Sequence, residues 1–167
     1  MKKIVITGGL GYIGTELCKI YSGYSWNDTI TVIDNRFISE RVNQIRNWNM
    51  NFIQGDILDK DFVKLHLKDA DIVHHLAGIT NVPRTKSESS DSQNKKIEKV
   101  GEIGTQNILD AISDKCKIIF PSTHVVFEGI NEVKKDIKED ELTKPILSYS
   151  SSKAVNEKQL KKSGKNY

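Results

Sequence analysis

Cysteine, proline and aromatic residues are all scarce in this sequence. Its 167 residues include 2 Cys and 3 Pro, and Phe, Trp and Tyr make up 7%. Cys18 and Cys116 lie far apart, so they offer neither a disulfide framework nor a metal-binding spacing and read as small buried hydrophobes. Mean hydropathy is −0.45 and no apolar run approaches the ~18 residues of a membrane helix, so a helical span is not expected. A large excess of either charge is also lacking, since 25 Lys+Arg face 22 Asp+Glu for a net +3. Lysine supplies 21 of those cations. The pairs Lys95-Lys96, Lys134-Lys135 and Lys161-Lys162 are interleaved with acids, as on solvated faces, and aromatics are few, which argues against a nucleic-acid groove. Met1-Lys2-Lys3 opens like a secretory signal, but the apolar stretch Ile4-Val5-Ile6 breaks at Thr7-Gly8-Gly9, so a cytoplasmic location is expected. Nor is there an internal repeat; the length suits one domain.

What is present is an alternation of short β-branched runs with longer helical patterns. The runs are Lys3–Thr7, Thr29–Asp34, Asn51–Gln54, Asp71–Leu76 and Lys117–Phe120. The first, second and fifth lack polar alternation, as parallel strands covered on both faces do. Tyr12–Tyr21 reads as a helix with Ile13, Leu17 and Ile20 on one face, and Asp59 caps a second helix to Leu67. Ile97, Val100, Ile103, Gly104, Ile108, Ala111 and Ile112 mark a long amphipathic helix. The order predicts an α/β fold with a doubly wound parallel sheet and right-handed crossovers. Thr80–Lys95 and Glu128–Pro145 are polar and aperiodic and read as long loops, either bordering a site or simply solvated.

Thr7-Gly8-Gly9-Leu10-Gly11-Tyr12-Ile13-Gly14 follows the first strand and opens the first helix. It fits G-x-G-x-x-G at Gly9, Gly11 and Gly14, and T-G-x-x-G-x-x-G at Gly8, Gly11 and Gly14. Glycine suits a sharp turn that a pyrophosphate must approach, and the helix start offers free N–H groups and partial positive charge. Asp34 ends the second strand 20 residues past Gly14, where a carboxylate can accept both ribose hydroxyls and repel a 2′-phosphate. Together they predict dinucleotide binding, NAD before NADP, with Arg36 as the group that would accommodate NADP.

Three further motifs follow: Gly55-Asp56-Ile57, His75-Leu76-Ala77-Gly78 and Tyr149-Ser150-Ser151-Ser152-Lys153, with Ser122-Thr123 at the end of the fifth strand. On these residues, from Lys2 to Lys153, the sequence resembles the extended short-chain dehydrogenase/reductases, in their NAD-dependent epimerase/dehydratase branch acting on nucleotide sugars. The resemblance implies an NAD(P)-binding Rossmann fold with Gly8, Gly11, Tyr12, Ile13 and Gly14 at the pyrophosphate. It implies Asp34 and Asn35 at the ribose, Asp56 and Ile57 at adenine, and Leu76, Ala77 and Gly78 as a backbone wall. Thr123, Tyr149 and Lys153 fall on the family's catalytic trio, and the last two also on cofactor contacts. Tyr149 and Lys153, four apart, share a helix face, and a nearby cation can lower a phenol's pKa by ~1–3 units.

Departures from the family's patterns narrow the reaction. The 4,6-dehydratases place Asp-Glu after the Thr, whereas His124-Val125 stands here, so that elimination is not expected. Ser122–Gly129 is closer to S-T-D-Y-V-F-D-G of keto-sugar reductases, and His75–Gly78 to the 4-epimerases. Gly101 replaces an Asn common in the long helix, which puts a water relay there in doubt. His124 reads equally as a substrate contact or a packing residue, and His74 and His75 alternate faces and lack a ligand cluster, so no metal is expected. Family members are longer, so residues 1–167 read as an incomplete NAD-binding Rossmann domain that stops where a sixth strand would begin, without the C-terminal substrate lobe. A sugar 4-epimerase-like hydride abstraction and return is the first expectation. A keto-sugar reductase and a dinucleotide-binding module without turnover are the alternatives; a Rossmann-type methyltransferase would not need Y-x-x-x-K. The resemblance also implies a homodimer through residues 95–113 and 149–163.

Overall fold

The computed structural model describes residues 1–24, 27–80, 82, 85–133 and 135–167. Lys134, one of the lysines read as a solvated face, and residues 81, 83 and 84 of the first long loop lie outside that set. Five strands form one parallel sheet: β1 (Lys3–Thr7), β2 (Thr29–Asp34), β3 (Asn51–Gln54), β4 (Ile72–His75) and β5 (Lys117–Ile119), in the order β3-β2-β1-β4-β5. The helices are α1 (Tyr12–Ser22), α2 (Ser39–Asn47), α3 (Lys60–Leu67), α4 (Asp91–Glu98), α5 (Gly104–Ala111) and α6 (Ser148–Ser163). The sheet is Rossmann-like. From β1 the chain winds outward to β3, then returns to the other side of β1, so the crevice opens between the ends of β1 and β4.

Side chains on successive strand positions go to opposite faces, and each face has its own core. Ile4, Ile6, Ile30 and Val32 pack with Leu10, Cys18, Val42, Ile45 and Met50 under α1 and α2. Val5, Ile33, Val73 and Ile118 pack with Val63, Leu67, Ile108, Leu109, Ile112, Cys116 and Leu160 under α3, α5 and α6. Both cysteines are free and buried, and burial pushes their thiols up, to about 12 for Cys18 and about 11 for Cys116.

Several expectations are corrected. Of the expected face only Leu17 packs against the core, while Ile13 and Ile20 are 61% and 58% exposed; the buried line of α1 is Gly14 and Cys18, Gly14 lying directly against the glycine turn. α2 went unlocated in the sequence because SERVNQIRN carries only Val42 and Ile45 as buried anchors. The long helix starts earlier, at Asp91, with Ser90 accepting from Gln93 N–H (3.4 Å), and is split by a π-helical turn, Lys99–Ile103. β5 is not covered like a central strand, since it is the sheet edge and Ile119 is 40% exposed. Its edge carries one parallel bridge, Lys117 to Asn166, with Ile118 N–H donating to Asn166 O (2.8 Å).

His74 and His75 do take opposite faces. His74 Nε2 meets the Tyr21 hydroxyl (2.8 Å) on the α1 side. His75, 1% exposed, bridges Thr7 Oγ1 (2.9 Å) on β1 and Thr105 Oγ1 (3.0 Å) on α5. Burial, with a smaller push from Lys153, takes the His75 pKa down to about 3, and burial lowers that of His74. The unfolded chain therefore binds more protons between pH 6.5 and 3, so this stability is complete above pH 6.5 and is lost as pH falls. Melting temperature is expected to drop below pH 6.5, His75 contributing up to about 1.4 kcal/mol per pH unit, and His75→Gln should flatten that limb in a thermal-melt series.

Candidate active site

At the carboxyl end of the sheet the chain leaves β1 through Gly8, whose φ is +70°. A Cβ there would lie 2.6 Å from the backbone of Ala77, and one on Gly14 would lie 2.5 Å from Gly9 Cα. Gly11 N–H donates to Gly8 O (3.0 Å), and Gly11 starts α1 with no side-chain cap, so the first N–H groups of the helix are left for an anion. Tyr12 (82% exposed) and Ile13 flank that opening.

Asp34 is 5% exposed at the end of β2. Its Oδ2 accepts from Leu10 N–H (3.1 Å) and its Oδ1 from Arg36 N–H (3.0 Å) and Nε–H (3.1 Å). The Arg36 side chain is 57% exposed, so the guanidinium covers the carboxylate from the solvent side and can leave it. Asn35 Nδ2 reaches Asp56 Oδ2 (3.4 Å), whose Oδ1 accepts from Leu58 N–H (2.9 Å). Ile57 is buried, its side chain filling the space a Cβ on Gly104 would need (2.4 Å) and its carbonyl accepting from Asn107 Nδ2 (3.0 Å). Leu76 N–H and Ala77 N–H turn back to Thr7, at O (3.0 Å) and Oγ1 (3.4 Å). Gly78 faces open space.

Beyond β5, Thr123 caps the 3₁₀ turn His124–Phe127, accepting from Val125 N–H (3.4 Å). That turn packs against α6, which carries Tyr149 and Lys153 one turn apart. Lys153 Nζ donates to Pro121 O (2.9 Å) and lies 4.2 Å from the Phe120 ring centroid. Burial takes its pKa down to about 8, against the raising effect of Glu157. Burial also raises the Tyr149 phenol, opposite to the lowering expected from a close cation, because the amine is directed at Pro121. A cavity of about 900 Å³ beside β5 is lined by Phe120, Ser122, Thr123, His124, Phe127 and Glu157, but not by Tyr149 or Lys153.

Gly101 sits in the π turn where α6 crosses, and a Cβ would lie 2.0 Å from Ser152 Oγ. Its carbonyl accepts from Asn156 Nδ2 (3.1 Å), so α6 fills the place of the Asn side chain. Glu128 and Glu157 went unnoticed in the sequence, although both tie the β5 loop to α6. The (i, i+4) spacing of Glu157 from Lys153 was a readable signal, and so was the place of Glu128 on the second acidic position of the S-T-D-Y-V-F-D-G pattern.

A family model described as the 3-beta hydroxysteroid dehydrogenase/isomerase family matches residues 5–166. The chain belongs to the NAD-dependent epimerase/dehydratase family of extended short-chain dehydrogenase/reductases. Several individual relatives carry sugar-nucleotide names. The human dTDP-D-glucose 4,6-dehydratase is 31% identical over 165 residues, 93% of this chain and 45% of that protein. That of Dictyostelium discoideum is 28% identical over 92% of this chain and 38% of its own length. The Bacillus cereus UDP-glucuronic acid 4-epimerase, solved with UDP-glucuronic acid and NAD, is 30% identical with a TM-score of 0.75 over 96% of this chain and 52% of that one. The chain therefore spans about half the length, or less, of these relatives.

Glu157 also bonds the Ser122 hydroxyl, and its charge raises the Lys153 pKa. Among ¹³Cε lysine signals, that of Lys153 is expected to titrate near pH 8. Glu157→Gln should move it lower, and an unshifted midpoint would show that Glu157 does not support the charge.

Proposed function

We propose that this chain is the cofactor-binding half of an enzyme acting on a nucleotide sugar, which takes hydride from a sugar carbinol and returns it as a 4-epimerase does. The observation that carries this reading is one convergence at the carboxyl end of the sheet. An uncapped glycine turn, a strand-end carboxylate and a helix bearing Tyr149 and Lys153 beside the Thr123 turn all open there. The NAD-bound 4-epimerase relative supports it. Gly8 and Gly14 leave room that a Cβ would fill, which fits a pyrophosphate over Gly8, Gly11, Tyr12, Ile13 and Gly14. Asp34 and Asn35 would hold the ribose, Asp56 and Ile57 would border adenine, and Leu76, Ala77 and Gly78 would wall the cofactor. When bound, NAD supplies the hydride acceptor and later donor.

The chain's own residues handle the proton. The Tyr149 phenolate accepts it from the sugar hydroxyl and later gives it back. The Thr123 hydroxyl holds that sugar oxygen in line. The Lys153 cation, held at Pro121 in this structure, would favour the phenolate once turned towards Tyr149, an advantage present below about pH 8 and lost as the amine deprotonates above it. His124 and Val125 leave no acid–base pair after Thr123, which supports an epimerase over a dehydratase. A keto-sugar reductase is the second reading, favoured by Ser122–Gly129. At this length a dinucleotide-binding module without turnover is the third. A homodimer through residues 95–113 and 149–163 belongs to the same proposal and is supported by half-exposed Ile103 on the π turn. So does a cytoplasmic location; among the described residues no helix is long and apolar enough to cross a membrane.

Because Asp34 opposes a 2′-phosphate, calorimetry should find NAD bound more tightly than NADP. Asp34→Ala should narrow or reverse the preference, whereas Arg36→Ala should widen it by uncovering the carboxylate. Equal or tighter NADP binding by the unmodified chain would overturn the assignment.

In a protein extended to the length of its relatives, Tyr149→Phe should cut turnover by roughly 10²–10⁴, about 3–5 kcal/mol, with NAD affinity nearly unchanged. Full retained activity would make the Tyr149/Lys153 pair structural.

A further inference from the structure

Glu128 stands where the catalytic helix begins, although it belongs to the loop after β5. One oxygen, Oε1, accepts from Ile146 N–H (2.7 Å), from Leu147 N–H (2.7 Å) and from the Ser150 hydroxyl. Leu147 is the N-cap residue of α6 and provides no side-chain cap, and the first turn of α6 contains no acid. A helix start has unpaired N–H groups and a partial positive charge, so an acceptor oxygen stabilises it, and here the acceptor comes from a remote loop. Burial pushes the Glu128 carboxyl up, but the hydrogen bonds from Ser150, Leu147 and Ile146 outweigh it and hold it below its ordinary range.

Backbone contacts bind the same two strips together. Lys144 N–H donates to Val126 O (2.8 Å) and Gly129 N–H to Lys144 O (2.8 Å). A Cβ on Gly129 would lie 2.4 Å from Lys144 O, so the strips are in van der Waals contact. Thr123 caps the turn that ends just before Glu128, and Tyr149 precedes Ser150. The carboxylate is therefore a short bridge between the two segments that carry the hydroxyl and the phenol.

We propose that Glu128 is a positioning residue whose carboxylate locks the first turn of α6 to the Thr123 turn and so fixes where the Tyr149 phenol stands. This rests on the reading of Thr123 and Tyr149 as the proton-transfer pair, which Glu128 itself does not join. Its chemistry demands an acceptor of the right reach rather than a charge alone. Glutamine keeps both the length and an acceptor oxygen; aspartate is one methylene short; alanine has neither.

The test uses the 167-residue chain with ¹³Cζ-labelled tyrosine, the Tyr149 signal being identified by its loss in Tyr149→Phe. Glu128→Ala is expected to displace the Tyr149 signal and leave the other four tyrosines in place. Glu128→Gln should restore the signal towards its original position and Glu128→Asp should not. If Glu128→Ala fails to fold, the contrast between the Gln and Asp variants decides. A lowered melting temperature with an unmoved Tyr149 signal, or equal signals in the Gln and Asp variants, would overturn the proposal and leave Glu128 as a stabilising cap. Calorimetry with NAD on the same samples judges the functional reading separately. Absence of binding by the unmodified chain would sink that reading, while the tyrosine signal would still decide the tether.

Discussion

Two stretches of backbone meet at the centre of the sheet with no room for a side chain between them. Gly8, leaving β1 with positive φ, lies so close to Ala77, leaving β4, that any Cβ would sit 2.6 Å from main-chain atoms. Parallel pairing of β1 and β4 brings their ends level, with Thr7 opposite His75, so the contact follows from register. It aims the uncapped start of α1 across the crevice and puts the Leu76–Gly78 segment directly opposite. The Thr7–His75–Thr105 chain of hydrogen bonds lies just beneath and fastens the same two strands to α5. A buried neutral imidazole there keeps every polar atom paired, at the cost of sensitivity to acid.

The other wall of the crevice is held quite differently. α6 has small or polar residues on much of its inner face, with Ser150, Ser152, Ala154 and Asn156 buried alongside Leu160. It is placed mainly by hydrogen bonds. Asn156 and Gln159 donate to the carbonyls of Gly101 and Glu102 in the π turn, Lys153 to Pro121, and Ser122 to Glu157. The small residues permit close approach to the π turn, and the polar ones fix the helix's position. That directionality suits the close placement that the role proposed for Tyr149 requires.

The strands of the parallel sheet and the glycine turn were legible because burial on both faces and backbone crowding each leave a compositional mark. Asn35 and Asp56 were pointed to by the family resemblance alone, and they come within hydrogen-bond reach (3.4 Å) because β2 and β3 pair and end level. What escaped the sequence depended on contacts remote along the chain. The inward line of α1 runs through Gly14 and Cys18 because the glycine turn lies against the helix at Gly14, where only glycine fits. α2 rests on two anchors, too few for a period. Position 101 reads as a departure from a pattern until Ser152 is seen to occupy the space. The lysine–tyrosine relation was inferred from spacing, yet spacing could not disclose that Pro121 and Phe120 take the amine and that burial raises both side chains' preference for neutrality.

The proposed function requires a single dinucleotide to span from the glycine turn to α6. An amide-resolved NMR titration of the ¹⁵N-labelled chain with NAD tests it most directly. The expected result is perturbation of Gly8–Gly14 and Asp34 together with Thr123, Tyr149 and Lys153, all saturating along one binding curve. Perturbation confined to one of the two groups, or two unrelated curves, would contradict it.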